Sequence, residues 1–547
     1  MDETSLRIER RSGPGGAVIY AEGRPLTGPD PASSMQRRLP GPDSVSPQTL
    51  FLVLSPLDGF GLEEWASRLP ITCGVLIVEL NPELARLRPE VATWNDHRHV
   101  ISTDSWDASV LAADRLIHGH AARRVQTIHL TGGTRLHRQR YRQLEERVNQ
   151  LIQRFWNNRG TQIRLQRRWV ANLIRNPALD GNSLETLRSR GGDRAILVGA
   201  GPSLDTHIPL LARMFPTAAG TDREGGILVA IDTALPALAA ADIQPDFIVT
   251  MDSQLANAQD FLPWRWDRTA VIADATTHFS IPRRFPSSRR YWFVSRFSEV
   301  QLFSDPELRA LFRGIPVIPP FGSVAPSAVH ILSDILEVAE IILVGIDFWY
   351  RPPRTHARMS TSDRWLKKAT SRTRHRDGHD RALARPFREV QLKDQTQTWG
   401  DAILFDQAQL ARETISRMSA RVFQVCAPGL DVGAETILVE HVDEWWASGE
   451  TGASGKAADD DPHRTARIGA LHALLRRLRT VEARLQRNDD STVIDSGLDF
   501  VLVDLPQWPL MTLSPEWMHL HRLRILRSVR DYRRRVETLL FRSSAQD

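Results

Sequence analysis

Cysteine is nearly missing from this chain: Cys73 and Cys426 are the only two in 547 residues. So far apart, they form neither a disulfide framework nor a zinc site and read as reduced core thiols. Long apolar runs are missing too. Nowhere do roughly 18 apolar residues follow one another, which excludes a transmembrane helix, and the polar start MDETSLRIERRSG holds no secretory signal. A cytoplasmic protein is the expectation. Strong charge imbalance is also lacking: 70 Lys and Arg stand against 65 Asp and Glu, a net +5. That excess admits an anionic ligand or partner. With no RNA-binding or helix-turn-helix signature beside it, nucleic acid is not indicated. No G-x-x-x-x-G-K-[ST] occurs, so the chain is not a Walker-type NTPase.

What is present is enough for two or three domains with real cores, since 41% of residues are hydrophobic. The stretch AILVGAGPSLD organises the reading. Ala195 to Val198 predict a short buried strand, Gly199-Ala200-Gly201 a turn, and Pro202 the opening of a helix to about Met214. Such a strand, glycine turn and helix start can aim N–H groups at a phosphate; tight turns of this kind also occur without ligands. Leu204 stands where a dinucleotide fingerprint has its third glycine, so NAD-type binding is not indicated.

In chain order, residues 1–48 read as a loose β-containing lead-in, and 49–185 as a Rossmann-like α/β domain ending in a helical connector. Its second strand closes on Glu79, read as support for the helix opened near Asn81-Pro82. Residues 186–445 form the central domain, 446–465 a linker and 466–547 a helical region. The basic last helix reads as packed on one side and solvated on the other. The fold class predicted is α/β, with a doubly wound, Rossmann-like central domain.

Asp232-Thr233, Asp252-Ser253, Gly322-Ser323 and Asp347 all fall at or just past strand ends. In open α/β sheets that edge binds ligands, although a single carboxylate there can equally cap a turn. After Asp347 comes an arginine-rich segment with His356, His375 and His379. Two readings stand: a mobile lid over an anionic donor, with a histidine as general base, or a solvated insertion.

ILVGAGPSLD with ILVAIDTALPALAAADIQPDFIVTMDSQ resembles the MptE-like family, which includes archaeal 6-hydroxymethylpterin diphosphokinases and bacterial motility accessory factors. GSVAPSAVHILSDILEVAEIILVGIDF resembles the matching block of bacterial sialyltransferases, and RTHA is similar to an element of the motility factors. The resemblance covers about residues 40 to 440. It implies a glycosyltransferase that moves a nonulosonic acid from a CMP-activated donor to Ser or Thr of flagellin, with no metal or other cofactor. It implies that Gly199, Ala200, Gly201, Pro202 and Ser203 hold donor phosphate and ribose. Asp232, Thr233, Asp252, Ser253, Gly322 and Ser323 would line the remaining donor site. His356 would be the base, with Asp347 and Tyr350 in the catalytic set. The chain departs from the sialyltransferase pattern at Ala200, where that pattern has asparagine, and at Trp349, which precedes Tyr350 in the place of a tyrosine. The alternatives are a pterin diphosphokinase using ATP and Mg²⁺, and a non-enzymatic nucleotide-binding scaffold, with oligomers compatible with either.

Overall fold

A computed structural model describes residues 7–544 except 15, 42–43, 95–98, 177–180, 189–191, 217–225, 263–265, 296–308, 374–377, 448–462, 491–492, 494–497, 503–504 and 506–514. His375 and most of the expected linker therefore lie outside the described residues. The chain forms two compact units, residues 1–166 with 483–527, and residues 167–482 with 528–547.

The first unit opens with an antiparallel sheet of β1 (Ile8–Gly13), β2 (Gly16–Ala21) and β3 (Arg24–Pro25). A parallel sheet follows, built from β4 (Thr49–Leu54), β5 (Gly74–Val78), β6 (Val100–Thr103) and β7 (Arg124–His129) in the order β6-β5-β4-β7. Its two central strands, β4 and β5, are almost wholly apolar and buried because both faces are covered, whereas the edge strand β7 is largely polar. Phe51 and Val53 join one core cluster, Leu50, Leu52 and Leu54 the other, as a period of two requires. Glu79, fully buried, accepts from the Asn81 N–H at 2.9 Å and the Tyr141 hydroxyl at 2.8 Å. Asn81 in turn caps the helix Pro82–Ala85. Glu79 thus supports the local turn and helix start.

The second unit carries the large sheet: β8 (Asn182–Ser183), β9 (Arg194–Val198), β10 (Ile227–Ile231), β11 (Phe247–Thr250), β12 (Ala270–Asp274), β13 (Arg290–Ser295), β14 (Val317–Ile318) and β15 (Glu340–Val344). After a small hairpin of β16 (Phe387–Gln391) and β17 (Gln397–Asp401) come β18 (Arg421–Val425) and β19 (Glu435–Ile437). The sheet order is β14-β13-β12-β11-β10-β9-β15-β18-β19, with β8 beside β13, and every recorded pairing in it is parallel. The α/β class is therefore the one found. Strand order reverses beside β9, whose neighbours are β10 on one side and β15 on the other. That reversal is where an open α/β sheet leaves a crevice at its carboxyl edge.

Two local differences from the sequence reading have simple causes. The helix after the elbow begins at Leu204, with Ser203 as its N-cap and Pro202 ahead of it. Ser203 keeps helical backbone angles but caps no N–H of the helix, its own N–H and hydroxyl going to another strand end, described below. Gln397–Asp401 leads straight into a helical sequence yet is itself a strand, and the helix Ala402–Ile415 starts where Asp401 accepts from the Ile403 and Leu404 N–H groups. Among the described residues no helix is long and apolar enough to cross a membrane.

Candidate active site at the strand reversal

The elbow after β9 and the turn after β15 are one construction. The Gly199 N–H donates to Val344 O at 2.8 Å, and the Gly201 N–H to Gly345 O at 2.7 Å. A Cβ on Gly199 would stand 2.7 Å from Gly345 O, and one on Gly201 2.7 Å from Asp347 Cγ. These two glycines are small because the β15 turn lies against them. Ser203 completes the joint: its N–H donates to Asp347 Oδ2 at 2.9 Å and its hydroxyl to Oδ1 at 2.5 Å. Asp347 is 4% exposed. Burial pushes its carboxyl up to about 6, opposed by the two Ser203 bonds and the Lys393 charge. The elbow amides at Gly199, Gly201 and Ser203 are thus satisfied within the protein.

The next sites along the edge are acidic. Asp232, after β10, accepts from the Thr250 hydroxyl at 2.7 Å and the Thr233 N–H at 2.8 Å. Burial, with like charges at Asp260 and Asp252, raises its carboxyl to about 7. Asp260 is raised to about 6 by burial and by Asp252, and the Thr361 hydroxyl donates to it. Asp252 accepts from the Gln254 N–H at 2.9 Å, which makes a turn after β11. Among the described residues, three buried polar groups here have no hydrogen-bond partner. They are the Ser253 hydroxyl, the Ser323 hydroxyl ahead of the helix Val324–His330, and the Lys393 ammonium. A buried polar group without a partner costs about 1–3 kcal/mol and asks for a ligand or water. Ser323 caps no N–H of its helix, which packs over β10 and β11. Gly322 turns the chain into it with φ +78°.

Lys393 was not visible in the sequence. It sits in the turn between β16 and β17, where a lysine beside Asp394 looks solvated. Its N–H donates to Gly429 O at 3.1 Å, and Leu430 donates to Asp347 O at 3.0 Å, so the turn, the loop after β18 and Asp347 are tied together. Burial lowers the Lys393 ammonium, against the charges of Asp347 and Asp431.

The arginine-rich segment is in large part an ordered strap. Arg354 pairs with Asp205 at 3.0 Å, the Arg358 N–H donates to the same carboxylate at 2.7 Å, and the Ala357 N–H donates to Ala200 O at 2.9 Å. The strap continues through Thr361 to Asp260. His356, partly buried, hydrogen-bonds the Thr355 hydroxyl through Nδ1 at 2.9 Å. Tyr350 goes elsewhere: its hydroxyl meets Ala382 O at 2.7 Å and Asp401 at 3.4 Å, inside the insertion. The structure therefore unites Gly199 to Ser203 with Asp347, and sets Asp232, Thr233, Asp252, Ser253 and Ser323 along the same sheet edge. Tyr350 is turned into the insertion. Asp205, Asp260 and Lys393 join the candidate set.

Protonated carboxyls at this edge predict a pH effect. Asp232 holds its proton in the folded chain up to about 7, whereas in the unfolded chain it loses it near the ordinary aspartate value, about 3.9. Between these limits the folded state binds more protons, so this group's contribution is full below the lower value and is lost as pH rises through the upper one. Asp232→Asn should therefore gain stability relative to the parent between pH 5 and pH 8, on the order of 2–4 kcal/mol. Thermal unfolding of both proteins at the two pH values measures it; a pH-independent difference would refute the assignment.

A parallel sheet whose strand order reverses beside β9 defines a doubly wound α/β fold, and its carboxyl edge carries the polar residues described above. Comparison with known proteins narrows the class. Residues 167–352 match the model of the 6-hydroxymethylpterin diphosphokinase MptE-like family, so this segment is similar to that family. The fold is similar to the structure of MAf glycosyltransferase from Magnetospirillum magneticum AMB-1, with a TM-score of 0.56 and 13% identity, over 99% of this chain and 92% of that one. The chain thus shares the fold of that structure. An uncharacterized protein of Treponema pallidum (strain Nichols) is 27% identical over 342 residues, 60% of this chain and 57% of that protein. The chain spans less than two thirds of that relative's length.

Proposed function

We propose that this protein is a transferase that moves a nonulosonic acid from a CMP-activated donor to Ser or Thr hydroxyls of flagellin in the cytoplasm. The observation that carries the reading is the pair of buried, unpartnered hydroxyls: Ser253, next to Asp252 after β11, and Ser323, ahead of the helix that packs over β10 and β11. A nucleotide sugar offers both donors and acceptors to such groups. Fold likeness and the MptE-like segment support the transferase class. In this reading Asp232, Thr233, Asp252, Ser253, Gly322 and Ser323 line the donor. Gly199, Ala200, Gly201, Pro202 and Ser203, braced by Asp347, set the floor. His356 takes the acceptor's proton as the hydroxyl oxygen attacks the anomeric carbon and CMP departs. A monophosphate leaving group is stabilised by fixed dipoles and cations without a metal.

The family description favours a second reading, pyrophosphate transfer from ATP to a pterin. That chemistry needs Mg²⁺ held by carboxylates. Asp347 fits that role poorly, because both its oxygens already accept from Ser203. Calorimetry with CMP and with ATP, each with and without Mg²⁺, separates the two. Micromolar binding of CMP irrespective of Mg²⁺ is expected; binding of ATP only with Mg²⁺ would replace the first reading by the second. Binding of neither would leave the scaffold. Unchanged flagellin mass in a deletion strain would remove the acceptor.

A further inference from the structure

The loop after β12 carries a cationic cluster that the proposed chemistry does not use. Arg175 Cζ lies 4.0 Å from the centre of the Phe279 ring and Arg283 Cζ 5.2 Å from it, while the His278 ring packs against Phe279, tilted by 35°, at 4.6 Å. Arg168 shares a helix face with Asn172 and Arg175, being four and seven residues from them. Asn172 donates to Thr276 O at 2.9 Å, and Asn176 to Ala275 O at 2.9 Å and Thr277 O at 2.6 Å. These bonds clamp that helix face onto the loop and bring Arg168 to its rim. Burial and then the charges of Arg175 and Arg168 hold His278 below the ordinary histidine range. The cluster adjoins the candidate site, because the His278 N–H donates to Asp252 O at 3.0 Å.

We infer that this cluster, Arg168, Arg175 and Arg283 around Phe279, docks a carboxylate-rich segment of the polypeptide acceptor at the edge of the crevice; the inference rests on the transferase reading above. Three features favour such a partner. Arg168 and Arg283 are exposed, which suits an extended chain rather than one enclosed anion. Guanidinium groups stacked on a ring are held in plane, so their edges can fork onto carboxylates. The ring of Phe279 is already engaged by two guanidinium groups and an imidazole, which disfavours stacking of a nucleobase.

The test uses the full chain and a fluorescein-labelled glutamate-rich peptide, read by anisotropy at low and moderate salt. A glutamine-substituted peptide and a single-stranded RNA of equal charge serve as comparators, and CMP binding is followed by calorimetry. The glutamate peptide should bind in a salt-sensitive way. The double variant R168A/R283A should weaken that binding at least about tenfold and leave CMP binding unchanged. Equal binding of the glutamine peptide, parental affinity in the double variant, or preference for the RNA would overturn the inference. CMP binding without peptide binding removes the docking site alone. Peptide binding without CMP binding removes the transferase reading and leaves an acidic-peptide surface.

Discussion

Asp347→Ala should lower Tm by several degrees and weaken CMP binding more than tenfold. The carboxylate is buried and receives both the N–H and the hydroxyl of Ser203. Truncation leaves two buried donors unsatisfied, each costing about 1–3 kcal/mol, and a void where the carboxyl stood. Beyond stability, the elbow loses the brace that fixes Gly201 and Ser203 against β15, so the floor of the crevice moves. Asp347→Asn separates the two effects. Its amide oxygen can keep the Ser203 N–H bond and its NH₂ can donate to the Ser203 hydroxyl, which turns acceptor, so the brace survives without the charge: it should recover much of the Tm, and the affinity returns with it where the brace rather than the charge serves the donor. The measurements are differential scanning calorimetry and titration with CMP. Parental CMP affinity in Asp347→Ala would show that the elbow is not part of the donor site.

Much of this architecture could be read from the residues. The strand predicted over Ala195 to Val198 is β9, Arg194–Val198, because an uninterrupted apolar run flanked by polar turns admits little else when both faces are buried. The polar residues at strand ends were legible for the same reason: carboxylates stop an apolar run visibly. What they do there was not. Gly199-Ala200-Gly201 suggests amides offered to a ligand, yet the structure uses two of those amides to bind the β15 turn, a partner some 145 residues away that local pattern cannot name. Tyr350, three residues past Asp347, was legible as a neighbour, but its direction depends on Ala382 and Asp401. Lys393 was hidden by its turn context. The strap was undecidable because its charges look solvated in sequence, and only the positions of Asp205 and Asp260 give them partners.

That strap yields the second large effect. Asp205→Ala should free the segment from Arg351 to about Thr370 and make it the preferred site of tryptic cleavage. One carboxylate holds Arg354, the Arg358 N–H and the Arg358 side chain, the last at 3.7 Å. Asp205 keeps 19% side-chain exposure and Arg354 45%, so the ion pair alone contributes little, about 0–1 kcal/mol. The N–H bond to a shielded carboxylate adds about 1.5–3 kcal/mol. The sum is comparable to the free energy that holds a surface segment closed, so cleavage should rise by about tenfold or more while global Tm changes little. If the strap retains the donor, CMP affinity falls in the same variant and transfer to the acceptor slows. Arg354→Gln tests the division of labour: it removes the charge pair and leaves the Arg358 N–H bond, so it should open the strap by a small part of that amount. Cleavage of Asp205→Ala at the parental rate would mean that Ala357 on Ala200 and Thr361 on Asp260 suffice to hold the strap, and that Asp205 is only a surface partner.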